Sequence, residues 1–350
     1  MRNHQVTAAL LLGSLAVAAC KNDPAAPSEG ISEATLSQRS SVPATIGGIW
    51  RQQPSIVPAR RWAAATVSGQ SILVIGGEIG EVSSRRVDAY NVETKTWTRL
   101  APLPAGRMWH DATTINGKIY VAGGENMVVV NGVSTQKPTQ SLFVYDPATN
   151  TWSRKADLPT KVQIVHQAAV SGMLYVYTDN DHFWKYNPKL DTWTSLPLPP
   201  SQHGDGMMRA VGDKIYLTGG TKFVDRAPFQ EYNPELDVYD PAIRTWSVKT
   251  PLPAAYNNLD HGAVAASFHG KLWVAGGALD SNGPLYNGPA SELYVYDPLT
   301  DTWVAGPPML RATMNAAGAW AGGKFFVFGG NNSINLTQAS SFVEALNTSY

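Results

Sequence analysis

The sequence predicts an all-β protein made of six repeats of about fifty residues, a period that marks an array of like units. Three observations predict it. Tryptophan recurs at positions 50, 97, 152, 193, 246 and 303. A glycine pair recurs as Gly76-Gly77, Gly123-Gly124, Gly219-Gly220, Gly276-Gly277 and Gly329-Gly330, with Thr178-Asp179 in the slot of the third unit. A tyrosine stands seven residues ahead of a tryptophan five times: Tyr90 and Trp97, Tyr145 and Trp152, Tyr186 and Trp193, Tyr239 and Trp246, Tyr296 and Trp303.

Composition agrees with a turn-rich, aromatic β protein. The 350 residues include 31 Gly, 24 Pro and 11 Trp. The 27 Lys and Arg balance the 27 Asp and Glu, and only 15% of residues are charged, which argues against nucleic acid as a partner. With one cysteine, no intrachain disulfide can form.

The amino terminus comes first in chain order. Residues 1–19 begin with Arg2, continue as an apolar run from Val6 to Ala19 that is too short to span a bilayer, and read as a secretory signal. Val17-Ala18-Ala19-Cys20 resembles the lipobox of bacterial lipoproteins, which implies that Cys20 is lipidated and becomes the first mature residue. Residues 20–45, rich in Pro, Ser, Thr and Ala, read as a flexible tether. By the same resemblance Lys21, in place of an acidic residue, favours the outer membrane. The protein is thus expected in the bacterial cell envelope, held to the membrane by its lipid anchor only.

Each repeat reads as a set of short strands. The glycine pairs end β-rich runs such as Ile72 to Ile75 and Lys118 to Ala122, where the chain turns with little room for side chains. Between the tyrosine and tryptophan lies Asp or Asn, usually followed by Pro, which is hairpin-turn chemistry. Glycine pair, Tyr and Trp in that order resemble the kelch repeat, and the resemblance covers residues 46–350. It implies a six-bladed kelch β-propeller with one four-stranded blade per unit.

The last unit lacks a matching tryptophan, because Val343-Glu344-Ala345-Leu346-Asn347 parallels Val87-Asp88-Ala89-Tyr90-Asn91 and the chain then stops. Ile46-Gly47-Gly48-Ile49-Trp50 supplies it. The last blade is therefore expected to close by pairing an amino-terminal strand with carboxy-terminal ones, which hides the sheet edges.

In kelch propellers the crossings into each innermost strand and the loops after the glycine pairs surround the channel mouth, where members bind ligands. The resemblance implies a rim of Arg60, Trp62, Arg107, Trp109, His110 and Asp111 from the first two units. Glu125, His166, His203, Arg209, Asp260 and His261 continue it, with Asp205 and Asn315 alongside. The histidines and nearby aspartates are suited to a metal site or an acid/base pair. Solvated surface polarity is the plainer reading of them, and no metal or cofactor is expected. From the glycine pair, or its equivalent, to Tyr the spans are 13, 21, 7, 19 and 19 residues, so the rim should be uneven and lowest at the third unit.

Catalytic signatures are sparse. There is no phosphate-binding glycine loop, no His-Glu-x-x-His and no Gly-x-Ser-x-Gly. Galactose-oxidase-like kelch enzymes need a cysteine crosslinked to tyrosine, and Cys20 lies outside the propeller. Bacterial sialic-acid mutarotases, also six-bladed kelch propellers, pair a post-glycine glutamate with a nearby arginine. Glu78 with Arg85 or Arg86 is the counterpart here, with the spacing unlike the family's. The sequence thus points to a protein- or glycan-binding module, with a sugar mutarotase or epimerase as the alternative.

Overall fold

The computed structural model describes residues 46–350 apart from 132, 180–181, 224–229, 254–261, 281–285, 334–337 and 349–350. Cys20, Asp260 and His261 lie outside the described residues.

Six four-stranded antiparallel sheets form the blades of an all-β propeller. Their innermost strands are Ala64–Ser68, Asp111–Ile115, Val165–Val170, Met207–Val211, Val264–Phe268 and Ala317–Ala321. In the first five blades the four strands follow in chain order from the axis outwards. In the sixth, the outermost strand is Gly48–Gln53, paired antiparallel with Val343–Thr348. The amino-terminal closure expected from the count of tryptophans is present.

The second strand of each blade is sandwiched between neighbouring blades and so reads as a continuous apolar run. Ser71–Ile75 is buried from Ile72 onwards, and Lys324–Phe328 from Phe325. Six hydrophobic clusters result, each at the junction of two adjacent blades. The cluster between blades one and two, for example, joins Leu73, Ile75 and Val87 to Ile119, Val121 and Tyr145.

The Tyr and Trp of each unit face one another across the outer hairpin, as in Tyr145↔Trp152 and Tyr186↔Trp193. Their rings lie 5.0 to 5.2 Å apart, within the range for favourable aromatic pairs. Each indole also donates a hydrogen bond to the preceding blade. Trp97 donates to the Pro54 carbonyl at 3.1 Å, Trp152 to Ala101 at 2.9 Å and Trp193 to Ala156 at 2.9 Å. Trp246 donates to Pro197 at 2.8 Å, Trp303 to Thr250 at 2.9 Å and Trp50 to Pro307 at 2.9 Å. Every acceptor lies four residues beyond the previous tryptophan, so the six bonds close into a belt.

Turn residues serve the same junctions. Asn150, in the left-handed region at φ 52°, accepts from the Tyr145 hydroxyl at 2.7 Å and from the Ala101 amide at 2.9 Å. Asp191 and Asp301 repeat the arrangement with Tyr186 and Ala156, and with Tyr296 and Thr250. At the inner end, Gly76 and Gly77 have φ of 63° and 87°. A Cβ on Gly76 would stand 2.7 Å from the Arg107 carbonyl, and one on Gly77 would stand 2.6 Å from that of Arg61. Only glycine allows both the conformation and the approach.

Removing residues 46–52 deletes the outer strand of the sixth blade and opens the belt. This should lower the thermal midpoint by roughly 10 °C or more, whereas deleting 21–40 should leave it within about 2 °C. Thermal unfolding followed by circular dichroism checks both, and equal midpoints would contradict the closure.

Candidate functional site

The six innermost strands enclose a cavity of about 170 Å³ at the channel mouth. It is lined by equivalent residues from all six blades. It is roomy enough for several waters, for one side chain or for one sugar ring.

At the lip, five of six equivalent residues adopt the left-handed region: Trp62 at φ 54°, Trp109 at 54°, Asp205 at 55°, Gly262 at 73° and Asn315 at 57°. Asp, Asn and Gly tolerate this conformation, whereas tryptophan is strained in it. Bonds between neighbouring blades hold it in place. The Trp62 amide donates to Asn315 at 2.9 Å, the Asn315 amide to Gly262 at 2.7 Å and the Val165 amide to Trp109 at 3.1 Å. The two indoles meet edge to face at 5.0 Å, and the Arg61 guanidinium lies 3.9 Å over Trp62.

Below the lip, Arg209 reaches from the fourth blade to Asp111 of the second, at 2.6 Å. The same guanidinium donates to the carbonyls of Ala265 at 2.8 Å and Met208 at 2.7 Å. Asp111 also accepts from the amides of Ala112 at 2.8 Å and Gln167 at 3.1 Å. The pair forms a polar floor across the channel.

His110 and His166 line the walls. Nε2 of His166 reaches no hydrogen-bond partner, and the His110 ring lies against the backbone of Ile75 and Met108. Burial, with the nearby charge of Arg107, lowers the His110 pKa to about 3. Burial lowers that of His166 to about 4, with Asp111 opposing the shift. Both imidazoles are therefore neutral at pH 7.

Several expected rim residues lie elsewhere. Arg60 is 1% exposed and ion-paired with Asp88, so it braces the first blade and leaves the rim. Arg107 is fully buried, donating to the Gly123 carbonyl and the Ser141 hydroxyl, and burial lowers its pKa to about 10. His203, also fully buried, sits 2.9 Å from the Gly219 carbonyl and 3.2 Å from Asp237. These three occupy one equivalent position, two residues before the lip, where the side chain turns in behind the glycine pair. The channel thus gathers Trp62, Trp109, His110, Asp111, His166 and Arg209, together with Asp205 and Asn315. Ile164 and Gly262, the remaining lip residues, were missed; alignment of Asp205 and Asn315 as left-handed positions is the signal that finds Gly262.

Glu78 does not meet Arg85 or Arg86. One Arg61 nitrogen contacts both Glu78 oxygens, at 2.9 and 3.0 Å. Arg85 donates to the Leu103 carbonyl at 2.6 Å, and Arg86 to Asp88 at 2.7 Å. The carboxylate and the two arginines have separate partners, so the expected acid/arginine pair does not form.

Glu125 takes the place of Glu78 in the second blade, but Met108 replaces Arg61 opposite it. It is fully buried, and burial pushes its pKa up to about 7, against the opposing effect of a side-chain hydrogen bond from Gln163.

Outside the channel the rim is uneven. Extra hairpins rise at blades one, two, four and five, the longest pairing Glu125–Val130 with Val133–Pro138. The first two are tied by the Ser83 hydroxyl, which donates to Asn126 at 2.8 Å and accepts from the Met127 amide at 2.9 Å. A groove of about 260 Å³ runs from Trp62 and Trp109 past Met108 and Met127, with Glu78 and Glu81 along it.

Comparison with known proteins agrees with this architecture. The KLHDC2/KLHL20/DRC7 Kelch-repeats domain matches residues 48–220, and the Kelch motif matches 261–310. Kelch-like protein terF of Aspergillus terreus (strain NIH 2624 / FGSC A1156) is 31% identical over 288 residues, 73% of this chain and 59% of that protein. Kelch-like protein 21 of Rattus norvegicus is 26% identical over 238 residues, 56% of this chain and 39% of that protein. Kelch-like protein 30 of Homo sapiens is 28% identical over 270 residues, 64% of this chain and 46% of that protein. The chain thus spans 39 to 59% of the length of these relatives. The solved structure of YjhT superposes with a TM-score of 0.67 at 14% identity, covering 83% of this chain and 95% of that one. The chain carries kelch repeats and folds as a six-bladed kelch propeller.

Glu125 gives a pH test. Its carboxyl titrates near 7 when folded and near 4.5 when unfolded, so the folded state holds the extra proton between these values and stability falls as pH rises through that window. Glu125→Gln should flatten the profile, gaining about 3 kcal/mol on wild type between pH 4 and pH 8 in urea titrations. Glu344, also pushed up to about 7 by burial, keeps its own slope in both proteins. An unchanged difference across pH would contradict the raised pKa of the buried carboxyl.

Proposed function

We propose that this protein is an exported, lipid-anchored binding propeller whose channel mouth grips a protein segment. One side chain of the segment enters the cavity, and the flanking backbone lies in the groove beside Trp62 and Trp109. The observation that carries this is the pair of strained tryptophans at the lip of a cavity floored by Asp111 and Arg209. Holding two large aromatics in a left-handed conformation costs about 1–3 kcal/mol each, strain that tends to collect at functional positions. Rigid aromatic anchors at a pocket are also what binding hot spots are made of.

The chemistry supports binding over catalysis. The channel carboxylate of Asp111 is spent on Arg209, and both imidazoles are too weakly basic to act as proton acceptors near neutral pH. Lipid anchoring at Cys20 and export rest on the signal and lipobox pattern of the first 20 residues.

Selection of displayed random peptides on the immobilised protein, followed by titration of the winners, tests the reading. Trp62→Asn and Trp109→Asn use the residue that Asn315 supplies at the same position, so the ring is lost without adding backbone strain. Each should weaken the selected peptide by tenfold or more, about 1.4 kcal/mol, without lowering the thermal midpoint, because the left-handed strain is relieved. Arg107→Ala, in contrast, should lower the midpoint because it empties a buried site. Peptides unaffected by both tryptophan changes, or selective binding on a glycan array with no peptide enriched, would overturn the proposal.

A further inference from the structure

At the mouth-side end of the junction between blades six and one, three guanidinium groups share one carboxylate. Asp88, the second residue of the third strand Val87–Asn91, is buried. Its Oδ2 accepts from Arg60, which arrives on the crossing from blade six, and from Nε of Arg86 at 2.7 Å. Arg99 stands directly opposite Asp88 on the fourth strand, so the two side chains leave the sheet on the same face. Tyr90, also on that face, packs on Phe326 and Phe328 of blade six.

Other blades balance their charges at this position. In blade four, Asp237 stands opposite Val248 and pairs with His203 at 3.2 Å. In blade six, Glu344 stands opposite Gln52 and accepts from the Leu310 amide at 2.8 Å. Blade two has an arginine on the fourth strand, Arg154, but Asp157 matches it at 2.6 Å. Pro102 takes the place of that aspartate in blade one. Arg99 is exposed and has no acid partner among the described residues.

Arg60 carries the imbalance inward. It is 1% exposed, and its Nε and Nη1 have no hydrogen-bond partner. Burial presses its pKa below the ordinary value; Asp88 opposes the shift, and the charges of Arg86 and Arg99 add to it. A buried cation is costly unless its charge and its donors are matched, and one carboxylate cannot match three guanidinium groups. A second anion is what the cluster lacks.

We infer that this cluster binds a phosphate group, held at the surface by Arg86 and Arg99 with the charge of Arg60 beneath. Guanidinium suits a tetrahedral oxyanion because it presents parallel N–H donors to two oxygens at once. Asp88 fixes Arg86 through Nε, which leaves the two terminal nitrogens for the ligand. The low dielectric around Arg60 strengthens its field at the site. The cluster shares no residue with the channel lining, so it stands whether or not a peptide segment binds there.

The test titrates the full chain with inorganic phosphate at fixed ionic strength, made up with chloride, and reads calorimetry and the thermal midpoint. Phosphate should raise the midpoint in a saturable way. Arg86→Gln and Arg99→Gln should each weaken phosphate by about fivefold or more. Arg154→Gln, which removes a matched cation, and Trp109→Asn should leave its affinity within about twofold. Asp88→Asn should cost more in midpoint in chloride than in phosphate, because the ligand offsets part of the unmatched charge. A midpoint that follows ionic strength whatever the anion, or phosphate affinity unaltered by both arginine changes, would mean an ion atmosphere only and would overturn the site. Flotation with phosphatidylcholine vesicles carrying phosphatidic acid reads the source of the phosphate. Flotation that is lost in the double arginine variant assigns a lipid headgroup; phosphate binding without such flotation assigns a soluble phosphate.

Discussion

The belt of six indole hydrogen bonds is the constraint on which the rest of the molecule depends. Each tryptophan packs on the tyrosine of its own blade and donates to a carbonyl of the blade before it. One bond of this kind contributes only about 1 kcal/mol, but each is coupled to an interblade apolar cluster. The belt closes only if Trp50 is delivered from the amino terminus to the sixth blade, so chain ends nearly three hundred residues apart are held together without a disulfide. The lip of the channel inherits this closure. Trp62 keeps its left-handed conformation because its amide is bonded to Asn315 of the sixth blade. A ring opened at the sixth blade would lose that contact.

The blades were legible in the sequence because their marks are local. The seven-residue interval from Tyr to Trp is the geometry of one hairpin and is the same wherever it occurs. The glycine pair records a backbone conformation open to little else. Closure was legible by counting, since five complete units and one without its tryptophan match a spare tryptophan at position 50. The uneven rim followed from loop length.

The site was harder to read, because three residues along a crossing point in three directions. Arg107 turns behind the glycine pair, Trp109 stands at the lip, and His110 faces the channel wall. A histidine offset by a few residues therefore changes role entirely: His203 is a buried brace, while His110 and His166 line the cavity. Nothing in the order of residues within one unit sets this register; it appears when the left-handed positions of different blades are aligned. Glu78 was misread for a related reason. Its arginine is Arg61, brought across from the crossing strand, and the arginines nearest in sequence are claimed by other groups. The Asp111 to Arg209 floor joins residues 98 apart, a distance at which no motif operates.

Hydrogen exchange of the indole Nε1 protons by NMR tests the belt most directly, comparing wild type with Trp50→Phe, which keeps a ring but removes one donor. Trp193 lies three blades from the break and shares no contact with residue 50. If the belt acts as one closed unit, its indole proton should exchange faster by about the same factor as that of Trp303, which adjoins the break. Faster exchange at Trp303 with Trp193 unchanged would mean six independent local bonds, and would contradict the dependence of the ring on its closure.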